Sequence, residues 1–143
     1  MHSEVVSVDT GGHEAVVDLT SRCESFLSRV AAVDGLLHVF VPHATAGVAV
    51  LELGAGSDAD LLDLLQLTVP AEGPRGDGWR HRHGSPGHGR DHVLPALVAP
   101  FAVVPVISGS LALGVWQSVA LVDTNRDNPH RTVRLSYLAD RGS

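Results

Sequence analysis

Residues 101–138 of this chain read FAVVPVISGSLALGVWQSVALVDTNRDNPHRTVRLSYL. Apolar and β-branched segments alternate here with short runs of Gly, Ser, Asn and Asp, which is the pattern of strands separated by turns. It predicts strands at Phe101–Ile107, Leu111–Val122 and Arg131–Leu138, with a tight turn at Ser108-Gly109-Ser110. The C-terminal part of the chain is therefore expected to be mainly β-structure.

The N-terminal part adds shorter β-rich segments. Apolar positions around Val6 and Val17 flank Gly11-Gly12, a two-glycine turn signal that predicts a hairpin over the first twenty residues. Two further strands are predicted at Leu36–Pro42 and Gly47–Leu53.

Three helices are expected between these strands. The first opens at Thr20 or Ser21, where Ser21 and Glu24 have the spacing of a capping box, and Gly35 is placed to end it. The second begins at Ser57 or Asp58 and carries a run of leucines, and a short third covers His92–Val98. The sum is an α+β fold with mostly antiparallel sheet packed against about three helices, in a single domain over residues 1–143.

Composition narrows the class of protein. The net charge is −6, and all ten basic residues are arginine without a basic stripe, which makes nucleic acid a poor partner. The single Cys23 allows no internal disulfide and no thiolate metal site. No stretch approaches the roughly 18 apolar residues of a membrane span, and the opening lacks a signal peptide, so we expect a cytoplasmic protein without a membrane partner.

A histidine cluster stands out in the loop between the second and third predicted helices. Residues 70–90 hold six Gly and three Pro, and residues 79–92 read WRHRHGSPGHGRDH. The histidines in it are His81, His83, His88 and His92, four of the nine in the chain. Imidazole binds transition metals and moves protons near neutral pH. The cluster predicts a site, although a solvated polar loop is the alternative interpretation.

Three residues elsewhere are candidates to join such a site. His43 ends a strand beside small residues, which leave space for a ligand or for other rings. Glu52 lies in an otherwise apolar strand, where a carboxylate is a candidate general base or a group that fixes a histidine tautomer. Gln117 could orient a water molecule or a substrate oxygen. Each also has a plain structural interpretation: a strand-end histidine bound to backbone, and polar side chains facing outward.

Arginines accompany the loop histidines. Arg80, Arg82 and Arg90 interleave with them, and their planar guanidinium groups could bind phosphate or carboxylate. They could equally be solvated.

Several motifs together resemble the YjbQ family. They are HATA at 43–46, Glu52, WRH at 79–81, His92 and LALGVWQ at 111–117, and the resemblance spans nearly the whole chain. It implies an α+β homotrimer with its site near subunit boundaries. Histidines at His43, His81 and His92 would gather there around a divalent metal, and Glu52 and Gln117 would line the same pocket as catalytic groups. Members of the family are described as secondary thiamine-phosphate synthases, so the resemblance also implies a small phosphorylated substrate.

The departures from the family pattern lie at the site. Leu51 and Leu53 flank Glu52 where the family resembles Asn-Glu-Asn, and Gly84, Gly87 and His88 replace expected acidic or amide residues. A site richer in imidazole favours zinc, nickel or copper over magnesium, and zinc is the metal we expect. Two other functions stay open: a non-catalytic trimer that stores metal or binds a partner, and a metal-assisted hydrolase.

Overall fold

The computed structural model describes residues 1–140. Its α-helices and strands, in chain order, are β1 (His2–Asp9), β2 (Ala15–Asp18), α1 (Thr20–Arg29), β3 (Gly35–Phe40), β4 (Ala46–Leu51), α2 (Ser57–Thr68), β5 (Phe101–Ile107), β6 (Ser110–Leu111), β7 (Ser118–Asp123) and β8 (His130–Ala139). Short 3₁₀ helices lie at His88–Arg90 and Leu94–Ala96.

The strands form two antiparallel sheets. One has five strands in the order β1-β8-β3-β5-β6, and the other has three in the order β2-β7-β4. The predicted α+β class with mostly antiparallel strands is confirmed.

The predicted N-terminal hairpin is wrong in its pairing. Gly11 and Gly12 do form a turn, with φ of +74° and +69°. However, β1 pairs with β8, with Val6 opposite Val133, and β2 pairs with β7 in the other sheet. The turn therefore carries the chain from one sheet to the other, because each strand finds its apolar partner far away in sequence.

Two other elements have boundaries that differ from the predicted ones. The predicted strand Leu111–Val122 is interrupted by a turn in which the Gln117 N–H donates to the Gly114 carbonyl at 2.9 Å, and this turn separates β6 from β7. Gly35 does not end α1 but begins β3, where a Cβ would lie 2.2 Å from the Leu138 carbonyl oxygen. Close strand approach, rather than a helix end, therefore requires glycine there.

Two apolar cores hold the layers together. The larger lies between the two sheets and α1 and includes Phe26, Leu37, Leu121 and Leu135. The smaller packs α2 and the 3₁₀ helix at 94–96 against the opposite face of the three-stranded sheet; its buried members are Leu65, Val69, Leu94 and Val122. Because side chains alternate along a strand, neighbouring residues of β7 face different cores. The three-stranded sheet thus lies between the two cores.

The lengths and hydropathy of the helices bear on whether they could cross a membrane. Within residues 1–140, neither helix is both long and apolar enough to cross a bilayer.

Candidate metal centre

The histidine loop is fixed to the fold by Trp79. Its indole ring packs against the smaller core, and its Nε1–H donates to the Pro70 carbonyl at 2.9 Å. Gly89 lies against this side chain so closely that a Cβ there would come within 2.4 Å of the Trp79 Cβ. The loop therefore needs glycine at this position to close over the tryptophan.

Successive 3₁₀ turns bring the second half of the loop around. The His88 N–H donates to the Ser85 carbonyl and the Asp91 N–H to the His88 carbonyl, each at 3.0 Å. Continued turns place His92 beside His88, with their Nε2 atoms 2.9 Å apart. The predicted helix at 92–98 is reduced to the short 3₁₀ helix at Leu94–Ala96.

All four loop histidines converge. One ring nitrogen from each of His81, His83, His88 and His92 lies within 4.8 Å of the others. Ring centroids are 4.0 Å apart for His81 and His83 and 4.1 Å apart for His81 and His92. His88 is buried, His92 is half-buried, and the other two are exposed. Four imidazole groups at this spacing can share one cation through their ring nitrogens.

Carboxylates hold the buried ring of His88 from behind. Its Nδ1 lies 3.1 Å from Asp127 Oδ2 and 3.4 Å from Asp91 Oδ2, and 3.4 Å from the Asn125 amide nitrogen. Asp127 is the nearest of these groups, and its carboxylate favours a proton on Nδ1, because an ionised acceptor makes the stronger hydrogen bond. Nε2 then keeps its lone pair and directs it toward the cluster, as in metal-binding histidines backed by a carboxylate.

The supporting carboxylates are themselves anchored. Asp127 Oδ2 accepts the Ser85 N–H at 3.0 Å, and the hydrogen bonds from Ser85 are the main reason that the pKa of Asp127 is lowered. Asp91 Oδ1 accepts the Thr124 hydroxyl at 2.6 Å, while burial raises the pKa of Asp91. Asp127 is consequently the firmer anionic partner of His88.

The cluster environment favours uncharged imidazoles. Burial, followed by the neighbouring imidazoles, lowers the pKa of His92 below its usual 6.5. The pKa of His81 is lowered by the same causes, first by loss of solvent contact and then by His83 and His88. At neutral pH both rings therefore carry lone pairs that a metal could accept.

Three cavities formed by the described residues adjoin the cluster, and the two larger ones have no lining residue in common. One of about 480 Å³ reaches His81 and His92, and its wall includes Trp79 and Val93 together with three arginines, Arg75, Arg80 and Arg82. The other, about 440 Å³, reaches His88, Arg90 and Arg126.

His43 lies outside the cluster. Its Nε2 accepts the Thr132 N–H at 2.9 Å and lies 3.2 Å from the Thr132 hydroxyl. Burial and then the nearby Arg131 lower the pKa of this histidine. Within the chain, then, the structure brings two of the three predicted ligands, His81 and His92, together with His83 and His88 and not with His43.

The two predicted catalytic residues occupy exposed positions. Glu52 follows the end of β4 and faces solvent. Gln117 is also exposed, and its Oε1 accepts the Gly114 N–H at 2.8 Å. Neither lines the two larger cavities beside the histidines, so their catalytic roles stay a prediction.

Sequence reasoning did not foresee the support around His88. The sequence pattern assigns no role in the site to Asp91 or Asp127. His88 is visible in the sequence as one member of the histidine-rich loop. The partnership of Asp127 depends on a turn nearly forty residues away, in which the Asp127 N–H donates to Asn125 Oδ1 at 2.7 Å.

Comparison with known proteins places this chain in a family. The family model described as UPF0047 protein YjbQ-like matches residues 4–140. The UPF0047 protein Rv2556c of Mycobacterium tuberculosis is 54% identical over 138 residues, covering 96% of this chain and 98% of that protein. The crystal structure of hypothetical protein APE1520 from Aeropyrum pernix K1 superposes with a TM-score of 0.85 at 34% identity, covering 98% of this chain and 100% of the other.

A second solved structure agrees with the first. The conserved hypothetical protein TT1486 from Thermus thermophilus has a TM-score of 0.76 at 30% identity, over 94% of this chain and 99% of that one. These matches run from end to end and confirm the resemblance carried by the sequence motifs. The chain belongs to the UPF0047, YjbQ-like, protein family.

Proposed function

We propose that this protein binds a divalent transition metal through His81, His88 and His92, with His83 as an additional ligand, and that zinc is the preferred ion. The convergence of four imidazole nitrogens within 4.8 Å carries this proposal. It replaces His43 in the expected ligand set with His88, because His43 is engaged with Thr132.

The nitrogen spacing suits a metal of this kind. Zinc binds histidine nitrogen at about 2.0–2.1 Å, which sets tetrahedral ligand atoms about 3.3 Å apart. The separation of 2.9 Å between the Nε2 atoms of His88 and His92 is slightly below that value, and the 4.8 Å limit for the cluster is above it. Because His81 and His83 are exposed, small rotations of their rings can adjust the set around the fixed ring of His88.

The donor type favours certain metals. An all-imidazole set suits zinc, copper and nickel, whereas magnesium prefers carboxylate oxygen and water. In this cluster Asp91 and Asp127 lie behind His88 and hold its Nδ1 side. The carboxylates would therefore act on the metal through the histidine.

The lining of the cavity beside His81 and His92 suits a small phosphorylated substrate. Arg75, Arg80 and Arg82 provide positive charge there against the single Asp77, and Trp79 with Val93 offers an apolar wall. Guanidinium groups bind phosphate oxygens through paired N–H groups. A bound metal would supply Lewis acidity, while the arginines hold the phosphate and the tryptophan packs the apolar portion. The transfer reaction of a thiamine-phosphate synthase is the first activity to test on this site.

A second candidate is a non-catalytic metal site. Catalytic zinc sites keep an open coordination position, whereas structural sites are closed by four protein ligands. The presence of both His83 and His88 in the cluster supplies four imidazoles, which is enough to close the site. This observation favours metal storage or a structural metal.

Metal content tests the proposal directly. Protein purified without added metal is expected to contain close to one metal ion per chain by elemental analysis, and the double variant His88→Gln/His92→Gln is expected to contain almost none. His130→Gln is a matched control, because this histidine is exposed and lies outside the cluster. An unchanged metal content in the double variant would contradict the proposal.

Turnover separates the two candidates. The zinc-loaded protein is assayed with pyrophosphorylated and phosphorylated small molecules, and Arg80→Ala is compared with Arg134→Ala, an exposed arginine outside the cavity. Activity lost in Arg80→Ala alone supports a catalytic site. Full metal content without turnover supports the non-catalytic site.

A further inference from the structure

Two buried nitrogens of Arg90 have no hydrogen-bond acceptor among the described residues. It ends the 3₁₀ helix at His88–Arg90 and is only 4% exposed. Its Nη1 donates to Gln66 Oε1 and, at 3.4 Å, to Glu14 Oε1. Its Nε and Nη2, also buried, have no hydrogen-bond partner within residues 1–140. An arginine cannot release its proton in a protein, so these N–H groups stay costly until an acceptor meets them.

The same chain shows what satisfies this edge of a guanidinium group. Arg131 is also buried, and its Nε and Nη2 donate to the two carboxylate oxygens of Asp123 at 2.6 and 3.0 Å. The Nε and Nη2 hydrogens point the same way, which matches the spacing of a carboxylate. Arg90 presents the corresponding edge without a carboxylate against it.

Arg90 lines a cavity. The space of about 440 Å³ is lined by Arg90, Gln66, Asp63 and Glu72, among others. Its size suits a small organic ligand. Because the free N–H groups of Arg90 are covered in the ligand-free chain, a ligand reaches them only when a neighbouring side chain of the cavity turns aside.

The charges around the cavity select the ligand. Glu14 is already bound by Arg90 and, at 2.8 Å, by Arg126. Asp63 and Glu72 are exposed and make no salt bridge in the described part of the chain. A doubly charged phosphate would be repelled by these two carboxylates, whereas a ligand with one carboxylate and one ammonium group would be attracted both by Arg90 and by Asp63 and Glu72.

We propose that this cavity binds a small aminocarboxylate, with its carboxylate on Nε and Nη2 of Arg90 and its ammonium group toward Asp63 and Glu72. The site is separate from the arginine-lined cavity beside His81 and does not require a metal. Because His88 and Arg90 share one 3₁₀ turn, occupation of the cavity would also restrict the backbone that carries His88.

The first test is a ligand titration of the metal-free full chain, in which two-dimensional NMR spectra of the arginine Nε–H groups report binding. The probes are glycine, β-alanine and 4-aminobutyrate, each compared with its amine-free carboxylate, and inorganic phosphate. At least one aminocarboxylate is expected to shift the Arg90 Nε–H signal saturably and to bind about tenfold more tightly than its amine-free carboxylate or phosphate. Absence of saturable binding by all three at millimolar concentration, or tighter binding of phosphate, would overturn the proposal.

A second test uses exposed positions, since changing Arg90 itself risks misfolding. The double variant Asp63→Asn/Glu72→Gln is expected to lose the preference for the aminocarboxylate while retaining the weaker carboxylate binding. Asp58→Asn/Asp60→Asn, on the same helix as Asp63 but outside the cavity lining, is the control and should bind as the parent chain does. An unchanged preference in the cavity variant contradicts the assignment. All measurements use metal-free protein, so a failure of the metal proposal leaves them interpretable.

Discussion

At the scale of single residues, the buried ion pair between Arg131 and Asp123 predicts a large effect on stability. Both side chains are almost completely buried, and Arg131 Nη2 also donates to Thr45 Oγ1 at 3.1 Å. Asp123→Asn leaves the guanidinium charge uncompensated in the interior. We expect the free energy of unfolding to fall by about 3–5 kcal/mol, measured by urea denaturation.

An exposed ion pair provides the control for this change. Arg29 donates to Glu4 at 2.7 Å at the surface, where solvent screens the attraction. Glu4→Gln should lower the free energy of unfolding by less than about 1 kcal/mol. Equal effects of the two substitutions would show that burial of the Asp123 pair contributes nothing.

His43 predicts a pH dependence with a definite sign. Its folded-state pKa lies below 6.5, so the unfolded chain binds the proton more tightly. The corresponding stability is present above the unfolded pKa and is lost as pH falls below it. His43→Gln keeps an acceptor near the Thr132 N–H but does not titrate. Its free energy of unfolding should therefore fall less than that of the parent chain between about pH 7 and about pH 5.

The role of His43 is given by the difference between the pH dependence of unfolding in the parent chain and in His43→Gln. His81 and His92 also have lowered pKa values, and they contribute a slope of the same sign in both proteins. Urea denaturation of the metal-free proteins across this range gives the two slopes. Parallel pH profiles for the parent chain and His43→Gln would contradict the assigned role of burial at His43.

At the scale of elements, the histidine loop depends on close packing at Gly89. A Cβ at this position would come within 2.4 Å of the Trp79 Cβ and 2.9 Å of the His81 carbonyl oxygen. Gly89→Ala should push the two halves of the loop apart and separate His81 from His88 and His92. We expect zinc affinity to fall about 10- to 100-fold, as for other supporting changes around a metal, in competition titrations with a chelating dye.

Gly76→Ala separates this effect from general strain in the loop. Gly76 has φ of +77°, but, apart from its two chain neighbours, no atom of residues 1–140 would lie within 4 Å of a Cβ added there. Alanine there strains the backbone without touching the histidine cluster, so zinc affinity should stay unchanged. A similar loss of affinity in both variants would mean that loop strain, and not packing against Trp79, governs the site.

Features set by neighbouring residues could be predicted from the sequence, whereas features set by contacts between distant residues could not. Alternation of apolar residues located β5 and β8 within one or two residues, because that pattern is local. It could not show that β1 pairs with β8, since pairing is decided by burial across the whole molecule. In the site, the loop histidines were visible as a cluster, whereas the contact of Asp127 with the His88 ring joins residues far apart in sequence and was not.

At the scale of the whole molecule, one sheet face carries apolar side chains that residues 1–140 leave exposed. In β5, Val104 and Val106 face the larger core, so Phe101, Val103 and Ile107 alternate outward and are each about half exposed. Leu36 in β3 and Leu138 in β8 are also exposed on strands of this sheet. Such a contiguous apolar surface is typical of a protein interface.

We propose that further copies of this chain cover that face in a homotrimer, as the family resemblance implies. Light scattering after size-exclusion chromatography should then give about three times the 15.0 kDa mass of one chain. Val103→Glu places a charge in the centre of the apolar face and should shift the mass toward that of one chain, because burying an unpaired carboxylate is costly. Leu67→Glu changes an even more exposed apolar residue on α2, away from the sheet, and should leave the mass unchanged. A parent chain with the mass of a single copy would contradict the trimer, and a Val103→Glu variant that still forms three-chain particles would place the interface on another surface.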